Sequence, residues 1–146
     1  MKIEWDYHLV VLGNPRGQGR PRATSKGKFA SVYEDKKDKM AKQDIAVIVQ
    51  QQAPEQLLDC PLRVDLKFYF PRPKGHYGSG RNSGVLKPQF TNALYTSKPD
   101  VDNLCKLVLD ALTGIFWRDD ACVVESYIKK MYSDKPRTEI FINRLS

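Results

Sequence analysis

Five aspartates fall between Asp100 and Asp120, at positions 100, 102, 110, 119 and 120, in a chain whose formal net charge is +7. Lys106 stands among them in KPDVDNLCKLVLDALTG (residues 98–114), and WRDD follows at 117–120. Carboxylates brought together repel one another unless a cation sits between them. Oxygen-only donor sets suit Mg²⁺, with Mn²⁺ as a substitute, because such ions bind through a few carboxylates and keep positions open for water and phosphate. A dication held this way activates water and stabilises the oxygens of a phosphodiester under attack. A lysine one helical turn away can orient that water or offset charge growing on the phosphate. Two acids, a lysine and a further acid in a basic protein point to a metal-dependent nuclease.

Read locally, the same residues have plainer roles. Asp100 follows Pro99 and precedes an apolar pattern, so it reads as a helix N-cap, with Asp102 favouring the helix dipole. Lys106 can pair with Asp102 or Asp110 on an exposed face, and Asp119-Asp120 suits a polar turn. The helix that positions these groups places Val101, Leu104, Val108, Ala111, Leu112 and Ile115 on one side and Asp102, Lys106 and Asp110 on another. The nuclease reading requires the connection after this helix to fold back, so that Asp119-Asp120 returns to it.

The rest of the chain supplies the frame. Residues 7–12 (YHLVVL) read as a strand stopped by Gly13-Asn14-Pro15, and residues 17–29 as an extended, bent loop or ribbon. Residues 34–52 form a helical pattern with Met40, Ile45, Ile48 and Val49 as its stripe. Residues 62–70 alternate Leu62, Val64, Leu66 and Phe68 against Arg63, Asp65 and Lys67, which is a strand ending in a doubly buried FYF. Residues 123–131 and 138–143 read as two strands joined as a hairpin through the turn at 133–136. The expected fold is α+β, a mixed β-sheet packed with two main helices in the order strand, helix, strand, helix, strand, strand. One domain spanning 1–146 is expected, with basic loops at about 13–33 and 71–99.

Those loops carry the charge excess. Arg16, Arg20, Arg22, Lys26 and Lys28 lie in the first without an acid among them, and Arg72, Lys74, Arg81, Lys87 and Lys98 in the second. Such stretches attract polyanions, and phosphate contacts release counterions, so these cations are candidate DNA contacts; a basic surface kept for solubility is the alternative. Tyr77, Phe90 and Tyr95 in the second loop are candidates for stacking on unpaired bases, a dimer contact or a disordered loop being the competing readings. Three cysteines without a Cys-x-x-Cys pair support neither a disulfide framework nor a zinc ribbon, and two histidines make a Ser/His/Asp triad a poor fit. No apolar run approaches the roughly 20 residues that span a bilayer, and the first residues lack a basic leader. A cytoplasmic protein without a membrane partner is expected.

The sequence resembles the RusA family of Holliday-junction resolvases, the crossover junction endodeoxyribonucleases. The resemblance rests on Asp100-x-Asp102-Asn103-Leu104-x-Lys106, on Leu109-Asp110-Ala111-Leu112, and on Gly114 followed by Phe116-Trp117-x-Asp119-Asp120-x-x-Val123-Val124, with Lys129-Lys130 beyond and Gly19-Arg20-Pro21-Arg22 upstream. It implies metal-binding carboxylates at Asp100, Asp102 and Asp120, with Asp119 as a further candidate, and catalytic roles for Lys106 and Asp102. Asn103 and Asp110 are supporting residues that position the helix and ligands. It further implies an α+β homodimer with one active site per subunit that cuts two strands of a four-way junction symmetrically, using Mg²⁺. Residues 71–99 depart from the compact pattern of the family. Two other readings compete. Pro99-Asp100 and Asp65-Leu66-Lys67 contain the halves of a restriction-type site, but in reversed order. A non-catalytic basic nucleic-acid-binding module, its acids serving as caps and turns, predicts no metal requirement.

Overall fold

A computed structural model describes residues 2–19, 22–26, 29–33 and 36–145 and, within 20–35, the strands alone. The strands are β1 (Tyr7–Leu12), β2 (Arg22–Lys26), β3 (Phe29–Tyr33), β4 (Leu62–Pro71), β5 (Val123–Glu125), β6 (Ile128–Ser133) and β7 (Arg137–Arg144); the main helices are α1 (Lys36–Gln50) and α2 (Val101–Leu112). The α+β class and the order of the main elements agree with expectation; β2 and β3 take up the ribbon alternative read for residues 17–29, and β5 is the first piece of the strand read over 123–131. β2 and β3 pair as a separate antiparallel ribbon within the first basic stretch.

β4 is the centre of the main sheet because its alternation lets one face bury Leu62, Val64, Leu66, Phe68 and Phe70 while both edges find partners. One edge pairs antiparallel with β7, which in turn pairs antiparallel with β1. The other edge pairs parallel with β5 and then β6.

Two expectations are corrected at this edge. The single strand read over 123–131 is broken at Ser126 and Tyr127, where side chains replace ladder bonds: the Ser126 hydroxyl donates to Val64 O, and Asp65 Oδ1 accepts from Tyr127 N at 3.1 Å. The hairpin read for the last two strands does not form, because β4 lies between β6 and β7 and pairs with both. Two interstrand spacings amount to roughly 10 Å, a gap that a link of three extended residues closes.

Helices α1 and α2 pack on each other and on the face formed by Leu9, Val64, Leu66, Phe68, Ile140 and Ile142. Each such side chain removed from water contributes about 1.5–3 kcal/mol. α2 buries Leu104, Val108, Ala111 and Leu112 as expected, and also Leu107; Val101 stands outside the core, 41% exposed. In α1, Met40 is 60% exposed and the inward position near the helix start is taken by Asp38. α1 ends at Gln50, two residues before the end of the pattern read at 34–52, whose first two residues lie outside the described ones.

Residues 71–99 are fastened to the sheet through three short 3₁₀ turns, at Lys74–His76, Gly80–Asn82 and Pro88–Phe90. Arg72 Nη1 donates to Phe90 O at 2.7 Å, His76 stacks on Phe90, and Tyr95 stacks on Phe70 with centroids 3.7 Å apart. Tyr95 N donates to Lys130 O, and Tyr132 N to Ala93 O, which adds a backbone edge beside β6. Phe90 and Tyr95 are thus occupied by packing rather than offered to bases, and the Tyr77 hydroxyl donates to Asp134.

Candidate active site

The site is built around the first turns of α2. Asp100 occupies the N-cap position, yet its carboxylate makes no capping bond, so the local role expected of it is unfilled. Asp102, in the first turn, and Lys106, one turn on, are exposed, and the expected pairing of Lys106 is absent among the described residues. Asp110 instead meets Lys42 of α1, Nζ to Oδ2 at 3.3 Å.

The chain then folds back along α2, so that the charge of Asp120 is felt at Cys105 and the charge of Asp110 at Asp120. Gly114 at φ +87° turns it, a left-handed conformation that glycine adopts without steric cost. Trp117, fully buried, anchors the return: its Nε1 donates to Thr113 Oγ1 at 3.1 Å, and Gly114 N donates to Trp117 O at 2.8 Å. The two returning aspartates divide their roles. Asp119 Oδ1 accepts from Ala121 N at 3.0 Å and caps the 3₁₀ turn Asp120–Cys122. Partial desolvation, then hydrogen bonding to and the charge of Asp119, and then the charge of Asp110 hold the Asp120 carboxyl above the ordinary carboxylate value. Burial, with the Asp120 charge added, pushes the neighbouring Cys105 thiol up.

Two supports were given no role in the site by sequence reasoning, although Lys130 belongs to the motif that carries the resemblance. Lys130 of β6 donates from Nζ to Ser97 O and Pro99 O, both at 2.8 Å, and so fixes the backbone just before Asp100. Residues 15–19 form a strap across the start of α2. Gln18 N donates to Asn103 O at 2.9 Å, and a Cβ on Gly17 would lie 2.6 Å from Pro99 Cβ, so only glycine allows this approach. Asp38, 1% exposed, holds the strap from α1, accepting from Arg16 Nη2 at 2.8 Å and Gly19 N at 2.9 Å. Asn103 therefore serves through its carbonyl, a support invisible in its residue type.

A model of the family described as Endodeoxyribonuclease RusA matches residues 13–143. The chain belongs to this RusA family. It is also 36% identical over 143 residues to the uncharacterized protein YqaN of Bacillus subtilis (strain 168), an alignment covering 94% of this chain and 96% of that one. RusA membership makes the chain an endodeoxyribonuclease by family and a DNA-binding protein by implication.

Among the described residues of this RusA-family chain, no three carboxylate, imidazole or thiol groups close around one point as a finished metal cage. The donor chemistry nevertheless fits Mg²⁺, which needs only one or two carboxylates and retains much of its water. Asp100 is uncapped, Asp102 is exposed, and Asp120 is crowded by like charge that a cation would relieve. The candidate DNA contacts separate by placement. Lys74, Arg81 and Lys98 are exposed. Arg72, with its side chain 7% exposed, clamps the loop, and Arg16 pairs with Asp38. Arg22 and Lys26 lie on β2, where side chains are not described, and Arg20 and Lys28 lie outside the described residues. Among the described residues, no helix is long and apolar enough to cross a membrane.

Proposed function

We propose that the chain is a Mg²⁺-dependent endonuclease that resolves Holliday junctions, the four-way DNA intermediates of recombination and repair, by paired symmetric phosphodiester cleavage. It acts in the cytoplasm as a homodimer, each subunit a single domain with one active site, since two coordinated nicks on a twofold-symmetric substrate call for two related sites. The observation that carries this reading is the arrangement on α2: an uncapped Asp100, an exposed Asp102 and an exposed Lys106 on successive turns, with Asp120 folded back toward the same helix.

In this reading Asp100, Asp102 and Asp120 hold Mg²⁺, or Mn²⁺ in its place, and Asp119 shapes the turn that presents Asp120. The bound dication supplies water activation and charge stabilisation at the phosphodiester. Lys106 sets its ammonium beside the scissile phosphate and offsets the negative charge that grows there. Asp110, through Lys42, ties the middle of α2 to α1. Lys74, Arg81 and Lys98 contact the DNA backbone.

Asp102→Asn tests the assignment on a mobile four-way junction, a fork and a plain duplex, each with Mg²⁺ and with EDTA. The wild-type protein is expected to cut the junction in Mg²⁺ only. The variant should bind the junction as before while cleavage falls at least about a hundredfold. Near wild-type cutting by the variant sinks the metal assignment, and cleavage of the fork in preference to the junction transfers the activity to another branched substrate. Binding without any metal-dependent cutting by the wild type leaves the non-catalytic module.

A further inference from the structure

Gln18 is the strap residue that the nuclease reading does not use, and its surroundings are unusual for a glutamine. Its Oε1 is buried and meets no hydrogen-bond donor among the described residues. A buried acceptor left unmade costs about 1–3 kcal/mol, so such an atom calls for a partner. Gln18 lines a cleft of about 340 Å³ together with Gly17, Lys98, Pro99, Asp100 and Asn103. Asp100, whose carboxylate makes no capping bond, lines the same cleft.

The position of Gln18 is set from three sides. Its own N–H is bonded to Asn103 O, the preceding glycine packs on Pro99, and the following one is held by Asp38. The strap therefore fixes the backbone of Gln18 at the cleft that Asp100 also lines, which lowers the ordering cost of using its side-chain oxygen there.

We propose that Gln18 is a further active-site residue whose carboxamide oxygen completes the cation site at the start of α2 as a neutral donor alongside Asp100. This rests on the metal assignment above. A neutral donor suits the place, because another acid would add repulsion to a site already rich in carboxylates.

Mn²⁺ binding to the purified full chain, followed by electron paramagnetic resonance without DNA, tests it. Gln18→Ala should weaken Mn²⁺ binding about tenfold, with the melting temperature reporting that the fold is intact. Gln18→Glu keeps the shape, and should tighten Mn²⁺ if an oxygen faces the ion; were the amide nitrogen facing a phosphate instead, the added charge would leave Mn²⁺ binding unchanged and weaken DNA binding. Cleavage by Gln18→Ala should regain the wild-type rate at saturating Mn²⁺. Mn²⁺ affinity within twofold of wild type for both variants overturns the proposal. Asp102→Asn in the same titration separates the two ideas: if it loses Mn²⁺ and the Gln18 variants do not, only the role of Gln18 falls, whereas if it too keeps Mn²⁺, both readings fall.

Discussion

Glu139 shows how a single residue's surroundings set a measurable pH dependence far from the carboxylates of α2. Burial pushes its carboxyl up, but a hydrogen bond from His8, the charge of Arg137 and a hydrogen bond from Tyr69 together outweigh burial, and its pKa lies below the ordinary 4.5. The contacts are His8 Nε2 to Oε1 at 2.8 Å and Arg137 Nη2 to Oε2 at 3.2 Å. A carboxyl with a depressed folded pKa adds stability that is present above its ordinary value and lost as pH falls through the folded value. Wild type should therefore melt higher than Glu139→Gln at pH 7, and the gap should close as the pH is lowered beneath about 4.5 toward 3. Melting curves across that range check it, and a gap independent of pH would mean that the ion pairs contribute nothing. The residues proposed for the active site were legible in the sequence to different depths. Asp100, Asp102 and Lys106 announce themselves by spacing on one helix. Asp120 emerges from the local pattern only when the fold-back is assumed; the family resemblance ranks it above Asp119, and the Ala121 N–H that Asp119 captures gives a physical reason for that order. Asp38 and Gln18 act through partners distant along the chain, Asp38 at Arg16 and Gly19 and Gln18 at Asn103, and no local pattern marks them.

Among the elements, β4 was readable because one buried face imposes a period of two, whereas the partners of β6 were not. The turn at 133–136 serves a hairpin and a strand pair split around β4 equally well; the choice is made by the free edge of β4, which residues 123–133 fill in two pieces. Residues 71–99 were opaque for a related reason. Their glycines, prolines and serines read as loop, while the groups that order them, Phe70, Lys130 and Tyr132, lie elsewhere in the chain. Lys130 joins this segment to the active site, since its ammonium holds the carbonyls of Ser97 and Pro99 and lies 5.3 Å from the Tyr95 ring centroid. Lys130→Met keeps the length of the side chain and removes the donors. It should speed amide exchange over residues 93–99 and lower the cleavage rate about tenfold, with the exchange of β4 unchanged. Full rate with faster exchange would show that the approach to Asp100 needs no such anchor.

For the whole molecule, net charge says that a polyanion is attracted but not where it lies. A formal charge of +7 is read from the sequence, and the structure sorts the cations behind it into those spent on the fold and those turned to solvent. Arg72 lies 3.4 Å through Nε from Asp134 and donates to backbone carbonyls, so its removal loosens residues 71–99. Lys74 and Arg81, on 3₁₀ turns of the same segment, are exposed. Each duplex phosphate that a removed cation no longer neutralises makes the slope of log K against log salt shallower by about 0.9. The double variant Lys74→Ala/Arg81→Ala should then reduce the slope of junction binding by up to about 1.8, with the melting temperature held. Arg72→Ala should do the reverse, lowering the melting temperature by several degrees through its unpaired carbonyl partners while the slope at low temperature stays near wild type. Binding isotherms between about 50 and 200 mM salt, a range over which several neutralised phosphates change affinity by orders of magnitude, resolve the difference. An unchanged slope for the double variant would move the DNA off this segment and onto the ribbon of β2 and β3, where Arg22 and Lys26 stand.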